Sequence, residues 1–498
     1  MWLSGESMLT KIRTLIEKVN ESGIRYCHWK SNFSLAETVS GQTDVDLLIH
    51  RRDASLFREI LSQLSFRPAR MTNGQPFPSV EHHYAVDDEN GDFVHVHAYY
   101  RVITGESLTK GFRLPVEDML LENTRKVGCV RVPTKGAELV IFTVRMLLKH
   151  TSMMELLLLS RYWRQARNEI DWLTEGDEVV EAADLVSRWL PRIDARLFWA
   201  CVNALKSPAP VWQRVILGHR LRSRLRIYAR HSVIRARLGG VKKVMMMLMC
   251  CLKGSQKAMV PVSGGAVIAF VGPEASGKST LLSEISHWLS EHFAVERHHV
   301  GKPPATALSA IPSLLVPVLR AMLPSYRSTR VETIHASGNQ SEKSNKRFPL
   351  IYGVRAVLLA YDRRSLLTKA FRRAANGTIL LCDRYPSMVS GTPDSPQLSH
   401  LPVPPHRYSV HHLLARIEAR LYREIPPPDM VIYLSAPLEV TVARNATRGK
   451  REPEDYVRSR HARSSNLKFE KTPVYEVNAD QPFHQMVLEI KKTIWNAL

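Results

Sequence analysis

The chain has 498 residues and a formal net charge of +22, with 44% apolar and 23% charged side chains. At roughly 100–200 residues per domain this length suggests about three domains, and the composition excludes wholesale disorder and collagen-like or fibrous classes. The longest apolar runs, such as Val244–Leu252, fall short of the roughly 20 residues of a membrane span. 

In chain order, the apolar spacing predicts a helix over Leu9–Asn20, a strand over Asp44–Ile49 and a helix over Ala54–Leu64. A hairpin follows, with strands His83–Asp87 and Phe93–Tyr99 and a turn at Asn90-Gly91. The acids Asp44 and Asp46 stand at i and i+2, so a strand points both to one face, where they can hold a divalent metal. His95 and His97 also alternate on one strand; they are candidate ligands, although a His pair on a half-buried strand is more often structural. Lys30-Ser31, a short helical stretch and then Asp44-Val-Asp46 on a strand resemble the nucleotidyltransferase superfamily over about residues 1–130. That resemblance implies a third acid on a neighbouring strand. Here that strand offers His95 and His97, with Asp92 at its start.

From Ala137 to Leu205 the pattern is helical. Then comes a run without a carboxylate, between Asp194 and Glu274. The net charge divides into −3 for residues 1–194, +14 for 195–273 and +11 for 274–498, and this break is the clearest boundary signal. Within 211–257 arginines alternate with apolar residues. Three readings stand in order: an interdomain helical connector, a basic amphipathic surface for an anionic membrane, and non-specific nucleic-acid contact. No nucleic-acid motif supports the last.

Beyond the basic run strand and helix signals alternate: Val267–Val271, Ser279–Phe293, Arg355–Ala375, Thr378–Cys382, His411–Ile425, Met430–Leu434 and Tyr475–Asn478. Such alternation predicts a parallel sheet covered by helices. The sharpest motif lies at its start, Gly272-Pro273-Glu274-Ala275-Ser276-Gly277-Lys278-Ser279-Thr280, between a strand and an amphipathic helix. It fits the phosphate-binding P-loop. The glycines let backbone N–H groups converge on a phosphate, the helix adds its N-terminal dipole, Lys278 can reach the β- and γ-phosphates and Ser279 can ligate Mg²⁺. A second signal is the strand that ends in Asp383-Arg384-Tyr385, an acid for metal or acceptor orientation followed by a cation for phosphate oxygens.

With Leu359-Ala-Tyr-Asp362-Arg363, Pro428-Asp429-Met-Val-Ile-Tyr433, Ala443-Arg444-Asn445 and Val474–Asp480, these stretches resemble the thymidylate kinase family from about residue 266 to 498. The resemblance implies ATP and Mg²⁺ as cofactors, Asp383 as the metal- or acceptor-orienting acid, Arg384 on the acceptor phosphate and Arg363 holding the acceptor. Arg448-Gly-Lys450-Arg451 would be the lid, Arg448 its catalytic cation. Pro386–Pro396 stands where that family has Ser and an Ala-Tyr-Gln signature, so the acceptor is a nucleoside monophosphate or another small phosphorylated molecule.

The expected fold class is therefore α/β: a C-terminal P-loop parallel sheet flanked by helices, an N-terminal α+β nucleotidyltransferase-like module and a helical middle. The expected boundaries are 1–132, 133–210, 211–262 and 263–498. The expected function is ATP- and Mg²⁺-dependent phosphotransfer. The alternatives are a nucleotide-switched ATPase or regulatory protein, and a nucleotidyltransferase of surface-polysaccharide precursor metabolism that works through Asp44 and Asp46. The six cysteines follow no disulfide or zinc spacing, and no basic-then-apolar leader stands at the N-terminus. A cytoplasmic location is thus expected, with membrane contact through 211–257 and homodimerisation left open.

Overall fold

A computed structural model of the chain describes residues 8–72, 77, 79–106, 109–150, 153–176, 179–206, 210–232, 245, 258–306, 350–400, 409–447, 452–464 and 466–498. The chain divides into two compact units, Met1–Lys257 and Ala258–Leu498.

The first unit is built on strands β1 (Tyr26–His28), β2 (Val45–Ile49), β3 (Arg67–Met71), β4 (Val80–Val86) and β5 (Phe93–Tyr99), in the order β1-β2-β5-β4-β3. β2 and β5 run parallel; the other neighbours are antiparallel. Period-two alternation sorts their side chains between the faces. Val45, Leu47, Ile49, Val94, Val96 and Ala98 form one core with Ile12, Leu15, Ile16 and Val19 of helix Thr10–Glu21 and Phe57, Ile60 and Leu61 of helix Ala54–Gln63. The opposite face therefore receives Asp44, Asp46, His95, His97 and His82. Two small ribbons follow, β6 (Val102–Thr104) with β7 (Phe112–Leu114) and β8 (Thr124–Val127) with β9 (Val130–Pro133).

Helices Lys135–Lys149, Met153–Leu173, Val179–Trp189, Ala195–Lys206 and Val211–Arg224 complete this unit. Thr134 starts the first of them, its hydroxyl accepting the Ala137 N–H. Trp29, Leu48 and Tyr99 share one buried cluster with Leu139, Ile141, Phe198 and Val202, so the α+β module and the helical extension have a common core. Leu221 and Leu225 join the same cluster. Arg214 lies buried with its guanidinium 3.8 Å from the ring centre of Trp163. The first half of the acid-free stretch thus packs as part of this unit; residues 233–244 and 246–257 lie outside the described residues. Among the described residues no helix is long and apolar enough to cross a membrane.

In the second unit the short β10 (Met259–Pro261) leads into β11 (Val267–Val271), followed by β12 (Val295–His299), β13 (Ile379–Asp383), β14 (Met430–Ser435) and β15 (Val474–Asn478). The last five form one wholly parallel sheet in the order β12-β13-β11-β14-β15. Ile268, Ala269 and Phe270 of the central strand have no exposed surface, as a strand covered on both faces requires. Helices Lys278–Ser290, Leu350–Ala375, Val410–Arg423, Leu438–Ala446, Glu454–Ser464 and Phe483–Ala497 connect and flank the strands. The chain is thus a mixed α/β protein with a parallel P-loop sheet. From β11 the neighbours lie on both sides, β13 on one and β14 on the other. That reversal opens a crevice at the carboxyl ends of the strands, where ligands of open α/β sheets bind.

Candidate active site at the strand ends

β11 ends at Val271 and the chain turns at Gly272 with φ +144°. A Cβ at Gly272 would lie 2.4 Å from the Leu434 carbonyl oxygen, so only glycine lets the loop pass β14. Ala275 at φ +59° and Gly277 at φ +90° curl the loop onto the start of helix Lys278–Ser290. Among the described residues no protein acceptor takes the backbone N–H groups of Ala275, Ser276, Gly277, Lys278 or Ser279. A ring of unmatched donors at a helix N-terminus is a cradle for phosphate oxygens.

The Lys278 ammonium is buried inside this loop. It donates to the carbonyls of Gly272, at 3.1 Å, and Pro273. Burial pushes its pKa down to about 8. Ser279 stands exposed at the helix start. Asp383 closes β13 opposite Phe270 of β11, one residue short of the loop, and its Oδ2 lies 2.8 Å from Nδ1 of His299 on β12. Ser279 and Asp383 are oxygen donors of the type Mg²⁺ takes, and they lie on neighbouring elements beside the phosphate cradle, so the residues present fit this cofactor.

Arg384 adopts φ +73°, a left-handed conformation rare for arginine. Its Nη2 donates to Glu274 Oε1 at 2.7 Å and its Nη1 to Asp394 Oδ2 at 3.2 Å. Asp394 is left-handed too, at φ +63°. Arg460 of helix Glu454–Ser464 approaches the same two acids, at 3.4 Å from each. Burial raises the pKa of the Asp394 carboxyl, but the charges of Arg363, Arg384 and Arg460 outweigh it and hold the group well below the usual carboxylate range. Glu274 is held down in the same way, by Arg384 and Arg460 against its burial.

Arg363 is buried, and all five of its N–H donors meet protein acceptors: the carbonyls of Val300, Gly301 and Asp394, the Tyr422 hydroxyl and the Asp394 carboxylate at 2.6 Å. It fixes Asp394 and the turn after β12. Next to it opens a cavity of about 190 Å³ lined by Tyr352, Arg355, Arg363, Tyr422, Arg460 and Arg463, with Asp394 at its border. Arg448, Lys450 and Arg451 of the expected lid lie outside the described residues. The sequence reading did not single out His299, Asp394 or Arg460. Asp394 falls in the proline-rich stretch that replaces the family signature, and Arg460 in a helix whose charge density reads as a solvated face.

The amino-terminal acids do share a face. Asp46 Oδ1 lies 2.8 Å from the Lys30 ammonium and 3.0 Å from His97 Nδ1. Asp44 Oδ1 lies 2.8 Å from His95 Nδ1. The turn carrying Lys30 is pinned where the Asn32 N–H donates to buried Glu138 at 3.1 Å, with Ser31 left-handed at φ +59°. Among the described residues no third acid joins the pair on the adjacent strand: His95 and His97 stand there, and the Asp92 backbone accepts and donates hydrogen bonds within the β4–β5 turn.

No family model matches the chain. A curated relative from Escherichia coli K12, "Uncharacterized ATP-binding protein YghR", is 22% identical over 234 residues, which are 46% of this chain and 86% of the relative. The protein of that name from Escherichia coli O6:H1 matches equally. Among solved structures, deoxyadenosine kinase from M. mycoides with bound dATP aligns at 16% identity, over 46% of this chain and 98% of that one, with a TM-score of 0.27. Thymidylate kinase from Candida albicans aligns at 19% identity, over 47% of this chain and 94% of that one, with a TM-score of 0.28. None of these lends support to the nucleotidyltransferase likeness expected for residues 1–132.

Proposed function

We propose that the unit Ala258–Leu498 is an ATP-dependent phosphotransferase that acts on a small phosphorylated acceptor, of which a nucleoside monophosphate is the first candidate. The observation that carries this reading is convergence at one strand-end crevice: the N–H cradle of 275–279, Lys278, Asp383 and the Arg384–Arg460 pair all face it. The likeness to an ATP-binding protein supports the nucleotide half of the proposal.

The cradle and Lys278 hold the donor phosphates, and the lysine follows the charge that shifts onto the leaving oxygen. Ser279 and Asp383 would hold Mg²⁺, which when bound neutralises the β- and γ-oxygens. Asp383, oriented by His299, faces the attacking oxygen. Arg384 and Arg460 stabilise negative charge on the transferring group. The arginine-lined cavity beside Asp394 takes the acceptor, and its cations select a phosphorylated one. Arg448 and its neighbours are proposed as the lid.

The test is a screen of nucleotides and phosphorylated sugars with ATP and Mg²⁺, read by product mass. One acceptor class should gain a phosphoryl group, and Lys278→Ala should abolish the gain. Phosphate release with no phosphorylated acceptor would instead support the nucleotide-switched ATPase. Failure of the wild type to bind ATP, or equal binding by Lys278→Ala, would overturn both.

A further inference from the structure

The face of the amino-terminal sheet that carries Asp44 and Asp46 holds three histidines that the proposed phosphotransfer does not use. Strand register sets them side by side. His82 of β4 is paired with His97 of β5, and His97 with Asp46 of β2. His95 follows two residues before His97 on the same face. The ring centres of His82 and His95 each lie within 4.5 Å of that of His97. His82 Nδ1 is 3.2 Å from His95 Nε2. One ring nitrogen from each of the three lies within 4.8 Å of the others, and all three rings are partly open to solvent.

Three imidazoles at this separation suit a small ion bound at about 2.0–2.1 Å per nitrogen. The hydrogen bonds around them decide which atoms point inward. His97 spends Nδ1 on Asp46, which leaves Nε2 for a ligand. His95 spends Nδ1 on Asp44 and turns Nε2 to His82 Nδ1 at 3.2 Å, the contact that a bound ion would replace. A carboxylate on the far nitrogen is the usual support of a metal-bound histidine, because it fixes the tautomer and the ring plane. Asp46 is itself held by Lys30, so this acid orients a ligand. Asp44 is the half-exposed one, and its Oδ2 lies 3.7 Å from His97 Nε2, beside the histidine cluster. The Lys30 and Asp46 charges cancel, which leaves the Asp44 charge to offset a cation. A set of three imidazole nitrogens prefers zinc-like first-row ions to Mg²⁺, which takes oxygen ligands and keeps its water.

We propose that His82, His95 and His97 form a site for a divalent first-row transition metal, zinc in the first instance, with water in the fourth position. This site differs in chemistry from the Mg²⁺ pair that Asp44 and Asp46 suggest by spacing alone. It does not depend on the phosphotransferase reading.

The full-length protein, stripped with chelator, should take up one equivalent of Zn²⁺ with Mg²⁺ present in excess, as read by calorimetry and elemental analysis. Co²⁺ in its place should give the intense visible absorption of a four-coordinate nitrogen and oxygen site. His95→Ala/His97→Ala should lose the equivalent and the absorption. Lys278→Ala should keep both. Asp46→Asn, which leaves every proposed ligand in place, should weaken Zn²⁺ by about 10–100-fold, the usual cost of removing such a support. Circular dichroism confirms folding, and if the double variant fails to fold, the single His82→Ala variant carries the test. No stoichiometric uptake by the wild type overturns the site, as does uptake that survives histidine replacement in a folded variant. Displacement of Zn²⁺ by Mg²⁺ overturns the assignment of metal class.

Discussion

Lys278 holds its charge among the carbonyls of its own loop, and the price is a pKa of about 8 against the ordinary 10.5. Between those values the unfolded chain binds the proton that the folded chain has lost. This group's contribution to stability therefore rises with pH across that window and is least favourable below pH about 8. Nucleotide affinity runs the other way, since phosphates need the ammonium. ATP affinity measured by calorimetry from about pH 7 to about pH 9.5 should fall above pH about 8. The binding heat near the upper end should also change with the buffer's ionisation enthalpy, because binding restores a proton; a flat profile contradicts the assignment. Lys278→Ala should lower turnover by about 10²–10³-fold, as loss of one charge-stabilising donor does. Gly272→Ala meets both a φ of +144° and the Leu434 oxygen at 2.4 Å. It should cost about 1–3 kcal/mol of stability, as overpacking does, together with ATP binding, read by denaturant titration and nucleotide binding on one sample.

At the scale of elements, Asp394 joins three that are remote in the chain: the helix bearing Arg363, the turn after β13 with Arg384, and the helix bearing Arg460. Asp394→Asn leaves buried Arg363 and the half-buried Arg384 and Arg460 without their shared anion, and about 3–5 kcal/mol of stability should be lost in urea unfolding. The sign with pH follows from the depressed pKa. The ion pair's contribution is complete above the usual carboxylate range and is lost as pH falls through the depressed value. The variant's stability should thus decline less steeply in acid than the wild type's. The same geometry explains what was legible beforehand. A strand, a glycine loop and a helix N-terminus adjoin in the chain, so the 272–280 motif and the acid ending β13 could be read from local pattern. Asp394 and Arg460 stand 66 residues apart, and His299 meets Asp383 across 84. Only sheet order and helix packing bring them together, and no local pattern records that. The fivefold engagement of Arg363 was hidden for the same reason: its partners come from the turn after β12, the 394 turn and the helix bearing Tyr422.

For the whole molecule, the sequence pattern suggested four segments, with the charge break at 195–273 as the clearest boundary signal; the structure has two compact units with separate cores. The boundary between Lys257 and Ala258 lies inside that run, but the run is not all linker, because helix Val211–Arg224 packs into the first unit's core through Leu221. Separate cores predict two thermal transitions by calorimetry. ATP at about 100 times its Kd should stabilise one of them by about 2.7 kcal/mol and leave the other in place, and Lys278→Ala should remove that shift. A single transition that ATP moves as a whole would show the two units to be thermodynamically one.

The pairing of Glu274 and Asp394 with Arg384 and Arg460 has a consequence for how any anion enters. These guanidinium groups already have tenants. An incoming phosphate must evict a carboxylate before it can occupy the same donors, so binding there is an exchange of anions. Exchange favours the anion of greater charge density: a dianionic phosphate outbids a carboxylate, whereas chloride or acetate gains little by the swap. With phosphate bound there as proposed, the site would discriminate against the common small anions of its surroundings without a closed door, and the displaced side chains of Glu274 and Asp394 would turn elsewhere.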